Sequence, residues 1–376
     1  MWWLKTFLVA TEHRETAIFA RLITVKRPLP FPLSDKCLRA THHSLDTLLM
    51  MGLEDEHLRA VDMIRGKASL STPGRRTANV FETTIRVIGG SLAGYFEAKS
   101  SNNERVRETA ATLLDVAVTV GSRLMKAFED SPTAMPLSDV DLSTGDTSWS
   151  AVHSSLSEMT TLALEFATLS NLTGDGRFRS AAEGVYDALP PQGLLPRLFS
   201  PLTGEPVDAE YMMLGSRTDS YYEYLLKYWI MLGDDNGLMI TGKGMKERMK
   251  EKVYSRYRKA MEAIKSELLS RTKGERRATY VAETRSGVKI SKMDHLVCFL
   301  PGVMALGYWY GANDASELRI AEELLETCVM LYRDTPTGLA AEVSYLNDDE
   351  QGEFGAFDVK DQVRGLIVNT RDGSEI

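Results

Sequence analysis

The segment Val80–Phe96, VFETTIRVIGGSLAGYF, decides the fold that we predict for this chain. Its large apolar side chains recur at steps of four and three residues, which is the spacing of one stripe along an α-helix. These residues are Phe81, Ile85, Ile88, Leu92 and Tyr95. The segment therefore predicts a helix that buries one face against a neighbouring element.

A second stripe of the same predicted helix carries Glu82, Arg86 and the glycine pair at positions 89 and 90. Glu82 and Arg86 are four residues apart, so their side chains lie on one face. Each glycine costs a helix on the order of 1 kcal/mol relative to alanine, which indicates that another group lies close to this backbone. Two interpretations stay open: a surface ion pair beside a tight helix–helix contact, or a carboxylate that an arginine orients within a site.

The composition is ordinary for a globular protein with a large core. The 376 residues are 43% hydrophobic and 26% charged, and their net charge is −8. This acidic balance argues against nucleic acid or an anionic membrane as the main partner. The sequence contains no run of about 20 apolar residues that could span a bilayer. Its N-terminal residues, MWWLKTFLVA, lack the basic start of a secretory signal.

From Ser44 onward, apolar residues recur with helical spacing in helix–turn–helix pairs. Strand patterns are few and short, for example at residues 278–284 and 338–346. We therefore predict an all-α chain. The later helices are predicted at residues 105–128, 156–169, 219–232, 253–268, 293–310 and 318–332. One more is predicted after the turn at 171–178, and Pro190 and Pro191 end it. The many basic residues of the 253–268 helix predict a solvated face, and the sequon at 171–173 is predicted to lie in a turn that could carry a glycan.

Four predicted helices begin with ionisable residues and continue as apolar runs. If alternate helices form an inner ring, they run parallel and their N-terminal ends meet at one rim, where the helix dipole favours carboxylates. The residues at these starts are Glu82 with Arg86, Glu158, Arg217 with Asp219, and Asp294 with His295. Each start also has a structural interpretation, because acidic residues are common in first helical turns. Glu158 and Glu165 could share a polar seam, and a lone histidine in an apolar run is usually a core residue.

Paired carboxylates across a cavity suit glycoside hydrolysis. One carboxylic acid can protonate the leaving oxygen while the other activates water or attacks the anomeric carbon. The sequence shows no phosphate-binding glycine loop, no nucleophile elbow and no zinc-ligand spacing. Its three cysteines, at positions 37, 298 and 328, leave open one bridge and one free thiol.

Several blocks of the sequence resemble, in the same order, the signature blocks of the class I α-1,2-mannosidases, glycoside hydrolase family 47. The longest are VFETTIRVIGG (80–90), GSRTDSYYEYLLKYWI (215–230) and KMDHLVCFLPG (292–302). Others are HHSLDTLLMMGL (42–53), PLSDV (136–140), SEMTTLALEF (157–166), LSNLTGDGRF (169–178) and ETCVMLYRDTPTGLAAEV (326–343). The resemblance covers roughly residues 44–343.

The resemblance implies an (α/α)7 barrel. It also implies an inverting, calcium-dependent enzyme that removes α-1,2-linked mannose from high-mannose N-glycans in the secretory pathway, in the endoplasmic reticulum or Golgi lumen. By motif position, Glu82 is the expected general acid and Asp219 an expected catalytic aspartate. The expected sugar-binding residues are Arg86, Glu158, Arg217 and His295, and the expected disulfide joins Cys298 to Cys328.

The likeness fades after about Val343, and the chain ends without the family block that supplies the glutamate proposed as base and the threonine that binds calcium. We therefore expect an incomplete barrel over residues 44–364, with an unmatched lead-in (1–43), an unmatched tail (365–376) and no metal ligand of its own. Weak or absent activity is expected. Two alternatives are a non-catalytic, lectin-like protein that binds high-mannose glycans in glycoprotein quality control, and a helical scaffold without a sugar site.

Overall fold

The fold is that of a computed structural model, which describes residues 35–65, 77–148, 150–233, 243–273 and 277–346. Most of the predicted lead-in, residues 1–34, and the predicted tail, residues 365–376, lie outside the described residues. None of the helices in the described ranges is long and apolar enough to cross a membrane.

Helices dominate the described residues, as the apolar spacing predicts. They are α1 (Asp35–His43), α2 (Leu45–Met50), α3 (Glu54–Arg65), α4 (Val80–Thr83), α5 (Gly89–Lys99), α6 (Glu104–Leu124), α7 (Lys126–Glu129), α8 (Leu156–Thr160), α9 (Ala163–Thr173), α10 (Arg177–Ala188), α11 (Asp219–Gly233), α12 (Lys243–Ala263), α13 (Leu300–Trp309) and α14 (Ala315–Arg333). The π-helical segment Thr84–Ile88 joins α4 to α5, and another, Ile264–Leu268, follows α12. A 3₁₀ segment, His295–Phe299, precedes α13.

Short antiparallel strands of two or three residues lie between the helices. They are β1 (Thr77–Asn79), β2 (Asp139–Asp141), β3 (Ser154–Ser155), β4 (Leu198–Phe199), β5 (Tyr211–Met212), β6 (Leu269–Arg271), β7 (Thr279–Val281), β8 (Glu283–Arg285), β9 (Val288–Ile290), β10 (Lys292–Asp294) and β11 (Val343–Tyr345). β1 pairs with β2, β3 with β4, β6 with β7 and β10 with β11, while β5, β8 and β9 form one sheet in the order β5-β8-β9. The short strands predicted near residues 278–284 and 338–346 are thus confirmed.

The longer helices pack in consecutive pairs. α5 packs on α6, α9 on α10, α11 on α12 and α13 on α14. The first helix of each pair also contacts the first helix of the next pair, so α5, α9, α11 and α13 form a continuous inner layer. α11 contacts helices on several sides, which explains why Tyr221, Tyr222, Tyr224 and Tyr228 are all buried. This layer sets the starts of its helices side by side.

The glycine pair of the opening segment marks a close approach between two backbones. A Cβ atom on Gly90 would lie 2.3 Å from the carbonyl oxygen of His42 in α1, and no real Cβ contact is that short. Four residues further along, a Cβ on Gly94 would lie 3.0 Å from the Cβ of Leu45. The predicted tight contact is therefore confirmed, and it fixes the helix that carries Glu82 and Arg86.

The helix predicted at residues 156–169 is in fact two helices. α8 ends at Thr160 and α9 begins at Ala163. The side chains of Thr160 and Thr161 bond back to carbonyls of α8, and such bonds compete with continuation of a helix. A polar seam of Glu158 and Glu165 along one helix face is therefore wrong. The segment 293–310 is likewise divided, into the end of β10, the 3₁₀ segment and α13.

The prediction of a usable glycosylation site is wrong for the folded chain. Asn171 lies inside α9, is 9% exposed, and accepts a hydrogen bond through Oδ1 from the buried Arg179. The turn begins only at Gly174, whose φ of 76° ends the helix. The amide nitrogen of Asn171 is thus not presented in a surface turn.

The predicted solvated face is wrong for three basic side chains of α12 and the π-helical segment that follows it. Arg256 is 9% exposed and donates to three backbone carbonyls at the end of α10. Arg258 and Lys265 hold the fully buried carboxylate of Glu317, at 2.9 and 3.0 Å. These cations stabilise the contacts of α12 with α10 and α14.

Cys298 and Cys328 form a disulfide, with their Cα atoms 5.9 Å apart. The bond joins the 3₁₀ segment to α14 across a sequence separation of 30 residues. The pairing implied by the family resemblance is confirmed.

Candidate active site

The starts of α4, α8 and α11 and the start of the 3₁₀ segment are linked to one another by hydrogen bonds. α4 contacts α8, α8 contacts α11, and α11 contacts the 3₁₀ segment. The rim is defined here as these four starts together with the residues that join them. It contains Glu82, Glu158, Arg217 and Asp219, and it includes the His295 backbone at the start of the 3₁₀ segment. Arg86 lies one turn beyond the start of α4, in the π-helical segment.

Glu82 and Arg86 form the ion pair that their spacing predicts. The Nε of Arg86 lies 2.5 Å from Oε2 of Glu82. The side chain of Arg86 is 23% exposed and that of Glu82 is 38% exposed, so the pair is partly open to solvent. Asn79 caps the helix start, because its Oδ1 accepts the backbone N–H of Glu82 at 3.0 Å.

Glu158 is held at the start of α8 by a reciprocal capping arrangement. Its Oε2 accepts the backbone N–H of Ser155 at 2.8 Å, and the Ser155 hydroxyl accepts the backbone N–H of Glu158 at 3.2 Å. Its other oxygen, Oε1, accepts a hydrogen bond from the amide of Asn79 at 3.2 Å. Asn79 therefore joins the Glu82 helix to the Glu158 helix.

Asp139 adds a further carboxylate beside Glu158. It lies directly opposite Asn79 in the β1–β2 pair. Burial raises the pKa of Asp139, and the charge of Glu158 raises it further. The sequence places Asp139 in the PLSDV block but gives no sign of this contact.

Asp219 is the most buried of the predicted catalytic carboxyls. Its Oδ1 accepts the hydroxyl of Ser157 at 3.0 Å. Burial raises the pKa of Asp219 to about 6, although hydrogen bonds from Ser220 and Ser157 act in the opposite direction. A carboxyl with such a pKa exchanges its proton near the pH at which many enzymes work.

Arg217 has a backbone conformation that is rare for a residue with a side chain. Its φ is 79°, in the left-handed region, which costs about 1 kcal/mol or more outside glycine. The conformation turns its carbonyl toward α8, where it accepts the backbone N–H of Ser157 at 2.9 Å. The exposed side chain stands just before Asp219 at the start of α11.

Asp294 connects the 3₁₀ segment to the same rim. Its Oδ2 accepts the backbone N–H of Ser216 at 3.1 Å, and its Oδ1 caps the segment through the N–H of Leu296. The approach requires a glycine opposite, since a Cβ on Gly215 would lie 2.5 Å from the Cβ of Asp294. Asp294 thus fixes the strained turn before Arg217.

His295 is a half-buried residue and does not lie in the core. Its Nε2 lies 2.7 Å from the hydroxyl of Tyr332 on α14, and the two rings meet edge to face. Its backbone N–H donates to the carbonyl of Glu342 at 2.8 Å. The structure therefore brings the His295 backbone to the rim through Asp294, while its ring contacts Tyr332.

A buried polar layer lies deeper between the inner helices. Glu165 of α9 accepts the hydroxyl of Tyr224 at 2.8 Å, and its Oε2 has no hydrogen-bond partner among the described residues. Burial raises the pKa of Glu165 to about 7. Gly89 of α5 lies against the same carboxyl, because a Cβ there would be 3.5 Å from Oε1.

The structural residues of the rim were largely missed by sequence reasoning. The capping box of Ser155 and Glu158 has a sequence signature, S-x-x-E, that could have identified it. Asn79 and Ser157 have none, since their partners are 79 and 62 residues away. Only the fold brings them together.

Within the described ranges, no group of three or more His, Cys, Asp or Glu side chains could hold a metal ion. Calcium takes about six to eight oxygen ligands, usually with carboxylates among them. The described residues do not form such a set, and calcium dependence stays a prediction.

The geometry supplies carboxyls in different environments on one rim. Glu82 is paired with an arginine, Asp219 is buried with a raised pKa, and Glu158 is fixed by backbone and amide donors. Carboxyl groups set apart in this way can divide acid and base roles. Arg86, Arg217 and the helix starts supply donors for hydroxyl groups.

Comparisons with known proteins identify relatives of this chain. The family model described as glycosyl hydrolase family 47 matches residues 42–368. The human endoplasmic reticulum mannosyl-oligosaccharide 1,2-alpha-mannosidase is 35% identical over 312 residues, which cover 81% of this chain and 40% of that protein. The mannosyl-oligosaccharide 1,2-alpha-mannosidase of Candida albicans is 37% identical over 331 residues, covering 81% and 53%. The chain thus spans about half the length, or less, of these relatives.

The solved structure of an alpha-1,2-mannosidase from Trichoderma reesei superposes with a TM-score of 0.73 at 20% identity. The match covers 93% of this chain and 72% of that structure. At this identity the likeness shows the fold, and it confirms the predicted helical barrel of the (α/α)7 type.

Proposed function

The chain belongs to glycosyl hydrolase family 47, and we propose that its rim is a site for removing α-1,2-linked mannose from high-mannose oligosaccharides. The observation that carries the proposal is the contact of Ser157 with both Asp219 and the carbonyl of Arg217. It joins two helix starts whose sequences both resemble family signature blocks. The left-handed conformation of Arg217 at this contact supports the proposal, because strained backbone tends to cluster at functional sites.

In the proposed reaction, Glu82 donates a proton to the glycosidic oxygen as the bond to the leaving sugar breaks. Arg86 holds the Glu82 carboxyl in place through the ion pair. Asp219 in its ionised form accepts a proton from water that attacks the anomeric carbon from the other face, which inverts its configuration. Ser157 orients the Asp219 carboxylate for this role.

The other rim residues bind and position the sugar in this proposal. Arg86 and Arg217 donate hydrogen bonds to mannose hydroxyls, and Glu158 accepts them. His295, held by Tyr332, closes one side. These roles fit the chemistry of the side chains, because a sugar hydroxyl both donates and accepts.

High-mannose N-glycans, calcium dependence and a place in the endoplasmic reticulum or Golgi lumen belong to the same proposal. The name of the human relative supports the substrate and the endoplasmic reticulum. The disulfide supports an oxidising compartment as well, since such bonds persist there. Calcium rests on the family alone.

The test incubates the purified chain with a high-mannose oligosaccharide, with calcium and with a chelator, and measures released mannose. We expect at most weak release, in line with the expectation from the sequence, and we expect Glu82→Gln to reduce it further. Binding of the oligosaccharide without release would support the lectin-like alternative. Neither binding nor release at millimolar oligosaccharide would overturn the proposal.

A further inference from the structure

We propose that Arg197, Asp208, Tyr211 and Arg285, the arginine cluster, form a second sugar-binding subsite that takes a distal branch of the same oligosaccharide. The inference rests on the proposed function, because the subsite would recognise part of the proposed substrate. None of these four residues belongs to the site predicted from the sequence.

The arginine cluster is attached directly to the rim. The carbonyl of Arg197 accepts the backbone N–H of Leu156 at 2.9 Å, and Leu156 lies between Ser155 and Ser157. Tyr211 starts the strand β5, from which the chain runs through residues 213–216 to Arg217. A ligand held at the cluster is therefore next to the elements that carry Glu158 and Asp219.

Tyr211 holds the cluster in a fixed geometry. Its hydroxyl donates to Glu283, whose carboxylate is bound by Lys292 at 3.0 Å. The guanidinium carbons of Arg197 and Arg285 both lie 5.6 Å from the centre of the Tyr211 ring, within the range of a cation–π contact. Groups held in advance in this way lose little entropy when a ligand binds.

The Arg197 guanidinium retains unused hydrogen-bonding capacity. Its Nη2 is 3.9 Å from Oδ2 of Asp208, which is too long for a hydrogen bond. Its Nε is buried and has no partner among the residues that the structure describes. Leaving such a donor unsatisfied is unfavourable.

The separation of Arg197 and Asp208 suits a hydroxyl group. One hydroxyl oxygen placed between them can accept a hydrogen bond from the guanidinium and donate one to the carboxylate. The side chains are 32% and 30% exposed, so a ligand can reach them from solvent. The charges balance, because the cluster and its neighbouring residues carry three cations, Arg197, Arg285 and Lys292, and three carboxylates, Asp208, Glu210 and Glu283. This balance favours a neutral, hydroxyl-rich sugar over an anion.

Calorimetry with two ligands tests the subsite. A high-mannose oligosaccharide reaches both sites, whereas α-1,2-mannobiose fills only the rim. The variants are Arg197→Gln and Asp208→Asn, and the matched control is Arg177→Gln, which removes an arginine from an exposed Arg–Asp pair at 2.8 Å elsewhere. We expect both cluster variants to bind the oligosaccharide about tenfold more weakly and mannobiose unchanged, with the control like the unaltered chain.

Other outcomes overturn the subsite in distinguishable ways. Unchanged oligosaccharide binding in both cluster variants would mean that the space between Arg197 and Asp208 holds only water. Equal weakening for both ligands would mean that Arg197 acts on the rim through Leu156. If the unaltered chain binds neither ligand, the proposed function fails and the subsite fails with it. Circular dichroism establishes that each variant is folded. Asp208 lies on a partly exposed loop, so Asp208→Asn still tests the subsite if Arg197→Gln fails to fold.

Discussion

The hydroxyl of Ser157 donates a 3.0 Å hydrogen bond to Asp219, and the backbone N–H of the same serine donates to the carbonyl of Arg217 at 2.9 Å. One residue of α8 thus determines the position of two residues at the start of α11. Because a hydrogen bond to a carboxylate favours its ionised form, Ser157 counteracts the effect of burial on Asp219.

Ser157→Ala is therefore expected to raise the pKa of Asp219 above its value of about 6. The loss of one donor removes stabilisation of the carboxylate and leaves the burial unchanged. Carbon NMR titration of the Asp219 carboxyl measures this directly. Ser157→Thr keeps the hydroxyl and is the control. A midpoint that is the same in the alanine variant and the unaltered chain would contradict the role given to Ser157.

Glu82→Gln is expected to lower mannose release by about 10² to 10⁴-fold, the usual effect of losing a general acid. The amide keeps the size of the side chain, so binding of the oligosaccharide should persist. Arg86→Gln should weaken binding, since it removes a donor of the site, and should also lower release, since it removes the ion pair that holds Glu82. Release rates and calorimetric affinities separate the two effects. A Glu82→Gln variant that turns over normally would exclude Glu82 as the proton donor.

The local features of the site could be predicted because they depend on residues close in sequence. Glu82 and Arg86 form their ion pair within a single turn of helix. The apolar spacing predicts the helix pairs for the same reason. The tight contact at Gly90 could be expected from the glycine pair, but its partner, the backbone of His42, could not.

What could not be predicted depends on contacts between distant segments. Asn79 binds Glu158 and Ser157 binds Asp219 only because the inner helices start at the same rim. The burial of Asn171 depends on Arg179 in the next helix. No periodicity reports such contacts, so a solvent-exposed turn was the simplest expectation for the sequon.

Gly90→Ala is expected to destabilise the chain by about 3 kcal/mol, the upper part of the range for overpacking. Its Cβ would meet the backbone of His42, which cannot move aside like a side chain. Gly184→Ala is the matched control in the interior of α10, where the nearest atom to the new Cβ is 3.8 Å away. That variant should gain up to about 1 kcal/mol from helix propensity. Urea unfolding gives the change in the free energy of unfolding for both variants. Equal changes would argue against the close approach of Gly90 to His42.

Replacing Cys298 and Cys328 by serine is expected to lower the free energy of unfolding by about 3–4 kcal/mol, from loss of a closed loop of this length. Cys37→Ser controls for the loss of a thiol outside the bridge. Urea unfolding without reductant measures the difference. If the double variant unfolds at the same urea concentration as the unaltered chain, the bridge does not stabilise the fold.

The free energy of unfolding of the unaltered chain is expected to fall as the pH rises, and Glu165→Gln is expected to abolish this fall. Burial raises the pKa of Glu165 to about 7 from an ordinary value of 4.5, so the folded state binds more protons than the unfolded state between these values. The free energy of unfolding then falls through this window, by on the order of 3 kcal/mol.

Glutamine keeps an oxygen for the hydroxyl of Tyr224 and cannot ionise. Urea unfolding at pH 5 and pH 8 measures the change in the free energy of unfolding with pH for each protein. Glu108, an exposed residue of α6, is replaced by glutamine as the control for loss of a charge. The lowered pKa of His42 acts in the opposite sense but equally in all three proteins. If the free energy of unfolding of Glu165→Gln changes with pH as it does in the unaltered chain, Glu165 does not ionise between pH 5 and pH 8.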